Sequence, residues 1–185
     1  MTDTIHYAVR NTSLGLVAMA ATARGICFLE FGDDAPGLFA RLKTEFPEAF
    51  ISPDTAIDKA SDHPELETWL DALAQHLDSG ADLPDLPLDI RGTDFEMLVW
   101  NSLRTIPEGD AIAYRKLAEN IGRPNSVRAV ASACGRNRIG VLIPCHRVLR
   151  GNGQLGGYRW GLSRKQALLD SEQKRVNPTD TQLSG

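Results

Sequence analysis

The stretch "YRKLAENIGRPNSVRAVASACGRN", Tyr114 to Asn137, contains two short helical runs separated by Gly122, Pro124 and Asn125. Tyr114 to Ile121 reads as one helix and Gly122–Asn125 as a turn. A second helix follows, capped by Asn125 or Ser126. Two helices joined by so short a turn have the outline of a helix-turn-helix. The interior of the second helix is unusually small: Ala129, Val130, Ala131, Ser132, Ala133, Cys134. Small side chains allow either tight packing against another helix or close approach to a narrow surface. The DNA minor groove, about 6 Å wide, is such a surface, whereas major-groove readers present Asn, Gln or Arg to base edges. This helix offers one long polar side chain near its start, Arg128. The expectation is a helix that docks on DNA without reading sequence, with Arg128 suited to fill a vacated place in the base stack.

Charge supports a polyanionic partner. The net charge of −4 conceals an asymmetry between the two halves. Residues 1–90 carry five basic and 16 acidic side chains, a net of −11. Residues 91–175 carry 15 basic and seven acidic, a net of +8. Between Ala113 and Lys165 there are 11 basic residues and one acid, Glu119. Most of these are Arg, the side chain suited to phosphate contacts.

Downstream lies "IPCHRVLRGNG", Ile143 to Gly153. An apolar run leads through Pro144 to Cys145, placing the thiol at the end of a buried segment. Buried free cysteines are usually inert, but His146, Arg147 and Arg150 flank this one, and positive neighbours favour the thiolate. Side chains adjacent in sequence point apart, so a water is expected between Cys145 and His146. Acids on the last helix, Asp170 or Glu172, are candidates to hold the imidazole. A hydrolase built on Cys, His and Glu stays open on these residues alone, as does a DNA-binding module without chemistry.

Upstream, "IHYAVR", "LGLVAMAA" and "GICFLEF" alternate with turn residues and read as a β-meander. Helices are expected over Pro36–Phe46 and about Asp62–Leu77. The second has a capping box from Asp62 to Glu65 and an apolar face of Leu66, Trp69, Leu70, Leu73 and Leu77, with Trp69 in the core. "SGADLPDLPLDIRG" breaks the pattern where the charge changes sign. Another helix starts at Thr93, boxed by Glu96, with Phe95, Leu98, Val99 and Leu103 on its apolar face. Three unclustered cysteines and scattered histidines fit a reducing compartment and predict no metal site. No apolar run reaches the roughly 18 residues of a membrane span, and no secretory signal is evident.

"IPCHRV", the preceding "GRN" and the following "GGYRWGLSRKQALLDSE" resemble the O6-alkylguanine-DNA alkyltransferases, the methylated-DNA–protein-cysteine methyltransferases. The resemblance covers Ile90 to about Lys174. It implies an α/β (α+β) fold in two domains. Residues 1–89 would be a ribonuclease-H-like sheet with helices, residues 90–174 a helical winged helix-turn-helix domain, and residues 175–185 a flexible tail. It further implies irreversible, single-turnover transfer of the alkyl group from O6-alkylguanine, and from O4-alkylthymine, to Cys145 after base flipping in duplex DNA.

The implied roles follow residue by residue. Cys145 accepts the alkyl group, His146 acts as base through water, Glu172 polarises it, and Asn137 is a hinge. Tyr114, Ser126, Arg128, Ala129 and Arg136 meet the DNA through the minor groove. Val148, Gly156, Gly157, Tyr158, Arg159 and Trp160 form the alkylguanine pocket, with Tyr158 donating to the guanine ring. The Trp160 ring is expected to narrow that pocket against bulky adducts. Neither the zinc ligands nor the extra regulatory domain of some relatives is expected here. No cofactor, no membrane association, a monomer and a cytoplasmic location are expected.

Overall fold

The computed structural model describes residues 3–53 and 65–178. It is a mixed α/β structure that divides into two compact units, Met1–Arg91 and Gly92–Gly185.

The first unit is built on the expected meander: β1 (Thr4–Thr12), β2 (Gly15–Thr22) and β3 (Gly25–Gly32), paired antiparallel. A fourth strand, β4 (Phe50–Pro53), was not legible in the sequence. It is four residues long, carries a proline, and pairs parallel to β1 at the sheet edge, giving the order β3-β2-β1-β4. Proline is tolerated there because an edge strand need not donate on both sides. All eight residues of β3 are buried, so the sheet needs cover on both faces. Helix α1 (Ala35–Glu45), capped by the Asp34 side chain on Gly37 N at 2.6 Å, inserts Leu38 and Leu42. They cluster with Ala18, Ala20 and Phe28. Helix α2 (Leu66–Ser79) packs on β1 and β2. Its buried face is Leu66, Leu70, Leu73 and Ala74, while Trp69 and Leu77 are only half-buried, so the expectation of Trp69 in the core fails. Asp62 and its capping box lie outside the described residues. The proline-rich segment before Gly92 is tied to β3, since Ile26 N donates to Pro87 O and Asp89 N to Ile26 O. Asp89 then accepts from Thr22, Arg24 and Arg91.

The second unit is helical: α3 (Asp94–Leu103), α4 (Tyr114–Asn120), α5 (Val127–Gly135) and α6 (Leu162–Val176), with two short parallel strands, β5 (Ile112–Ala113) and β6 (Val148–Leu149). The capping box at α3 forms as expected: Thr93 Oγ1 accepts from Glu96 N, and Glu96 Oε2 accepts from Thr93 N at 2.9 Å. Thr93→Ala removes one half of it and is expected to lower stability by about 1 kcal/mol, read as a shifted urea midpoint with an unchanged slope. The buried face of α3 carries Val99 and Leu103 as expected, joined by Trp100 and Glu96, whereas Leu98 is 41% exposed and Phe95 half-buried. Trp100 sits so close to Gly92 that any Cβ there would meet its ring at 2.5 Å. Its indole N–H donates to Ala133 O at 2.9 Å and ties α3 to α5.

On α5 the small residues divide. Val130, Ala133 and Cys134 are buried, whereas Arg128, Ala129, Ser132, Gly135 and Arg136 are exposed. The inner face packs, as one reading of the helix expects, and the outer face carries small side chains between two arginines. Ser126 stands at the N-cap without a side-chain cap bond. Helix α6 extends two residues into the stretch expected to be a tail, with Arg175 paired to Glu108. Residues 179–185 are outside the described part. Among the described residues, no helix is long and apolar enough to cross a membrane.

Candidate functional site

Cys145 opens a short 3-10 turn, Cys145–Arg147, between the apolar run and β6. The run reaches it through Val141, whose φ of 65° is a left-handed conformation that β-branched residues rarely adopt. Asn137, just beyond α5, organises the approach. Its Nδ2 donates to Ile143 O at 2.8 Å and to Cys145 Sγ at 3.2 Å, and its Oδ1 accepts from Ile139 N at 2.9 Å. All three bonds are buried, so the amide holds the sulfur in one place.

His146 is fully buried. Its Nε2 lies 2.6 Å from Glu172 Oε1 on α6. Burial lowers the His146 pKa, partly offset by the Glu172 bond. Burial pushes Glu172 up, but bonds from His146 and Arg147 outweigh it and hold the carboxyl at about 2. The carboxylate is therefore ionised and the imidazole neutral near pH 7. The proton sits on Nε2, which donates to Glu172, and Nδ1 carries the lone pair. Nδ1 is buried with no hydrogen-bond partner among the described residues. Asp170, the other candidate, accepts instead from Gln166 on the exposed side of α6.

Arg147 does not support the thiol. Its guanidinium grips Glu172 at 2.9 to 3.1 Å and donates to Ile106 O at 2.6 Å. The positive charges that favour the thiolate are Lys165 and Arg159. Burial acts against them and raises the Cys145 pKa on balance. Glu172→Gln tests the carboxylate. A carboxyl held at about 2 stabilises the fold above its ordinary pKa of 4.5, and that stability drains away as pH falls through about 2. The variant is expected to lose about 3 kcal/mol at neutral pH, with a flatter loss between pH 4.5 and 2 in urea midpoints measured against pH.

Sequence reasoning missed Lys165. It is fully buried one turn into α6, on the stripe that also carries Leu168 and Glu172. Its Nζ donates to the carbonyls of Val148 at 2.7 Å, Leu155 at 2.5 Å and Gly157 at 3.2 Å. One ammonium thus ties the return of the 148–157 loop to α6. Burial lowers its pKa, opposed by the two nearby cysteines. The sequence offered a weak signal, a lysine at the i position of an i, i+3, i+7 stripe with Leu168 and Glu172.

A cavity of about 340 Å³ opens beside Cys145. Its wall includes Tyr114, Gly156, Gly157, Tyr158 and Arg159 from the expected set. Ala131, Cys134, Gly135 and Arg150 also line it and were not expected there. A side chain at position 156 would be strained, since its φ is 73° and a Cβ would press within 3.3 Å of the Tyr114 ring. Burial chiefly pushes Tyr114 up to about 12 and Tyr158 well above the usual phenol range, so both hydroxyls stay protonated. The Tyr158 hydroxyl is buried with no partner among the described residues. Val148 and Trp160 stand behind the wall. Trp160 meets the Tyr158 ring edge-on at 5.2 Å. Arg128 and Ala129 on α5 and Ser126 at its N-cap are not among the residues that line the cavity, and Arg136 is paired with Glu96 at 3.2 Å.

Fold and site together define a mixed α/β protein with a thiol on the wall of a small-molecule-sized cavity. Comparison with known proteins narrows that class. Residues 94–174 match the family model described as 6-O-methylguanine DNA methyltransferase, DNA binding domain. The chain is similar to the bifunctional transcriptional activator/DNA repair enzyme Ada of Escherichia coli K12, 45% identical over 169 residues, covering 91% of this chain and 45% of that one. It is 34% identical over 168 residues to the methylated-DNA–protein-cysteine methyltransferase of Methanosarcina acetivorans, covering 91% of this chain and 98% of that one. Among solved structures, that of Mycobacterium tuberculosis OGT in complex with DNA is similar with a TM-score of 0.75 and 32% identity, over 92% and 94% of the two chains. The chain belongs to the family of methylated-DNA–protein-cysteine methyltransferases. It spans about half the length of the first curated relatives it matches.

Proposed function

We propose that this chain reverses alkylation damage in duplex DNA by moving the alkyl group from O6 of guanine, or O4 of thymine, onto Cys145 Sγ. The observation that carries the reading is the buried thiol on the cavity wall, held by Asn137 and backed by the His146–Glu172 pair. Burial keeps the thiol protonated at rest, so a base is needed. The neutral Nδ1 of His146 supplies it through a bridging water. Sγ takes its hydrogen bond from Asn137 and not from His146, unlike the direct pairing of cysteine hydrolases. The sulfur displaces the alkyl carbon in line, and the guanine leaves as its ring accepts from the Tyr158 hydroxyl. The product is a thioether, which water does not cleave as it does an acyl-enzyme, so one chain repairs one lesion.

A base inside the duplex cannot reach a buried thiol, so the nucleotide rotates out of the stack into the cavity. The exposed small residues of α5 suit the minor groove, and Arg128 fills the gap. Tyr114, at the start of α4 and on the cavity wall, crowds the backbone of the rotated nucleotide. Ser126, Ala129 and Arg136 contact the strands beside it. The main-chain carbonyls of Cys145 and Val148 accept from the exocyclic amine. The Val148 carbonyl already takes one bond from Lys165 and keeps a second lone pair for this. In this reading the helical unit is a winged helix-turn-helix, the sheet unit is ribonuclease-H-like, and the protein works as a monomer in a reducing compartment.

The experiment that tests the reading is the intact mass after mixing with methylated duplex DNA, developed in the Discussion. Rotation has its own test. Arg128→Ala is expected to slow transfer from duplex DNA at least about tenfold, because unstacking costs a few kcal/mol that the arginine offsets. Transfer from free O6-methylguanine, which needs no rotation, is expected to be unchanged. Equal slowing on both substrates would remove Arg128 from that role.

A further inference from the structure

Alkyl transfer needs one thiol, yet two line the cavity. Cys134, in the last turn of α5, and Cys145 are each 5% exposed and share the wall. Asn137 ties them together: its backbone N–H donates to Cys134 O at 3.2 Å, and its side chain donates to Cys145 Sγ at 3.2 Å. Both sulfurs act electrostatically on Lys165, raising its pKa against the burial that lowers it. Burial raises Cys134, and the neighbouring Cys145 raises it further. Burial therefore keeps both thiols protonated at rest. The third cysteine, Cys27, is buried in β3 of the other unit with its sulfur against Ala20 O at 3.6 Å. Nothing in the proposed repair reaction uses Cys134.

We propose that Cys134 and Cys145 form a hydroperoxide-reactive dithiol, in which Cys134 resolves oxidised Cys145 as an internal disulfide. The Cys145 thiolate attacks one peroxide oxygen, breaks the O–O bond and becomes a sulfenic acid. The departing hydroxide takes up the proton released from the thiol and leaves as water. The Cys134 thiol then attacks the sulfenic sulfur, its proton leaves with the hydroxyl as a second water, and the S–S bond forms. Two thiols have lost two electrons and two protons, and one peroxide has become two waters. The disulfide spares Cys145 from sulfinic and sulfonic acids, which ordinary thiols do not reverse. It also withdraws the alkyl acceptor until a reductant returns it by thiol–disulfide exchange. This inference does not rest on alkyl transfer, because every readout below is a mass.

The test treats the full chain with a small excess of hydrogen peroxide, alkylates the remaining thiols, and maps peptides without reduction. The expected result is a peptide pair joined through Cys134 and Cys145, reverting to two free thiols with dithiothreitol, and the same in Cys27→Ala. In Cys134→Ala, and separately in Cys134→Val to guard against a packing defect, the fraction of Cys145 found as sulfinic or sulfonic acid is expected to rise at least about tenfold. The proposal is overturned if the wild type yields no joined pair. It is equally overturned if Cys145 over-oxidises to the same extent with and without Cys134.

Discussion

Wild-type protein mixed with methylated duplex DNA is expected to gain the mass of one methyl group and then stop, and Cys145→Ala is expected to gain none. The loss should be total within detection, at least about 1,000-fold in the rate of uptake, because no other group replaces a removed nucleophile. The structure offers one other sulfur on the cavity wall, Cys134. It lacks a hydrogen bond from Asn137 to its sulfur and has no imidazole beside it in sequence, and burial holds it protonated. Peptide mapping of the methylated protein is expected to place the group on Cys145 alone. Methyl uptake that persists in the variant would sink the assignment. Repeated demethylation by wild type of unchanged mass would sink single use and favour a hydrolase.

Lys165→Met is expected to be the most damaging change away from the thiol. Methionine fills much of the same space but leaves three carbonyls, of Val148, Leu155 and Gly157, without their donor. At about 1 kcal/mol each, the low end for buried unsatisfied groups, the loss is about 3 kcal/mol. For a chain of this size that corresponds to a melting temperature lower by about 9 °C. The function suffers by a second route. The loop tied down by Lys165 carries Gly156, Gly157 and Tyr158 on the cavity wall, and the ammonium is one of two cations that favour the Cys145 thiolate. The rate of methyl uptake is expected to fall at least about tenfold even well below the new melting temperature. Duplex affinity, set by surface arginines on other elements, is expected to stay within about twofold and to keep its salt dependence. A variant with lost affinity and an unchanged transfer step would contradict this division of labour.

Much of this was legible beforehand where the reasons are local. The meander reads directly from alternation and turns, because strand period and turn chemistry are properties of neighbouring residues. So do the capping box at Thr93 and Glu96 and the two helices around Gly122. The short strand β4 did not, because a four-residue edge strand is defined by its partner β1 and not by its own composition. The Trp100 position on α3 was missed for a related reason. Leu98 and Trp100 are both apolar, and which one turns inward depends on where α5 lies.

The site divides in the same way. The order of residues determined that a cysteine, a histidine and a basic helical region would occur together, and gave reason to expect a water between Cys145 and His146. Tertiary structure decided everything that depends on distance across the chain. It chose Glu172 over Asp170, because only one of the two lies on the buried stripe of α6. It turned Arg147 away from the thiol and toward that carboxylate, since a buried anion takes the nearest guanidinium. It also brought in Lys165 and Cys134, whose roles come from three carbonyls and a shared cavity wall that no local pattern encodes. Sequence period specifies which face a residue occupies. Only packing specifies what that face meets, and burial with a particular partner sets each pKa and each hydrogen bond of the site.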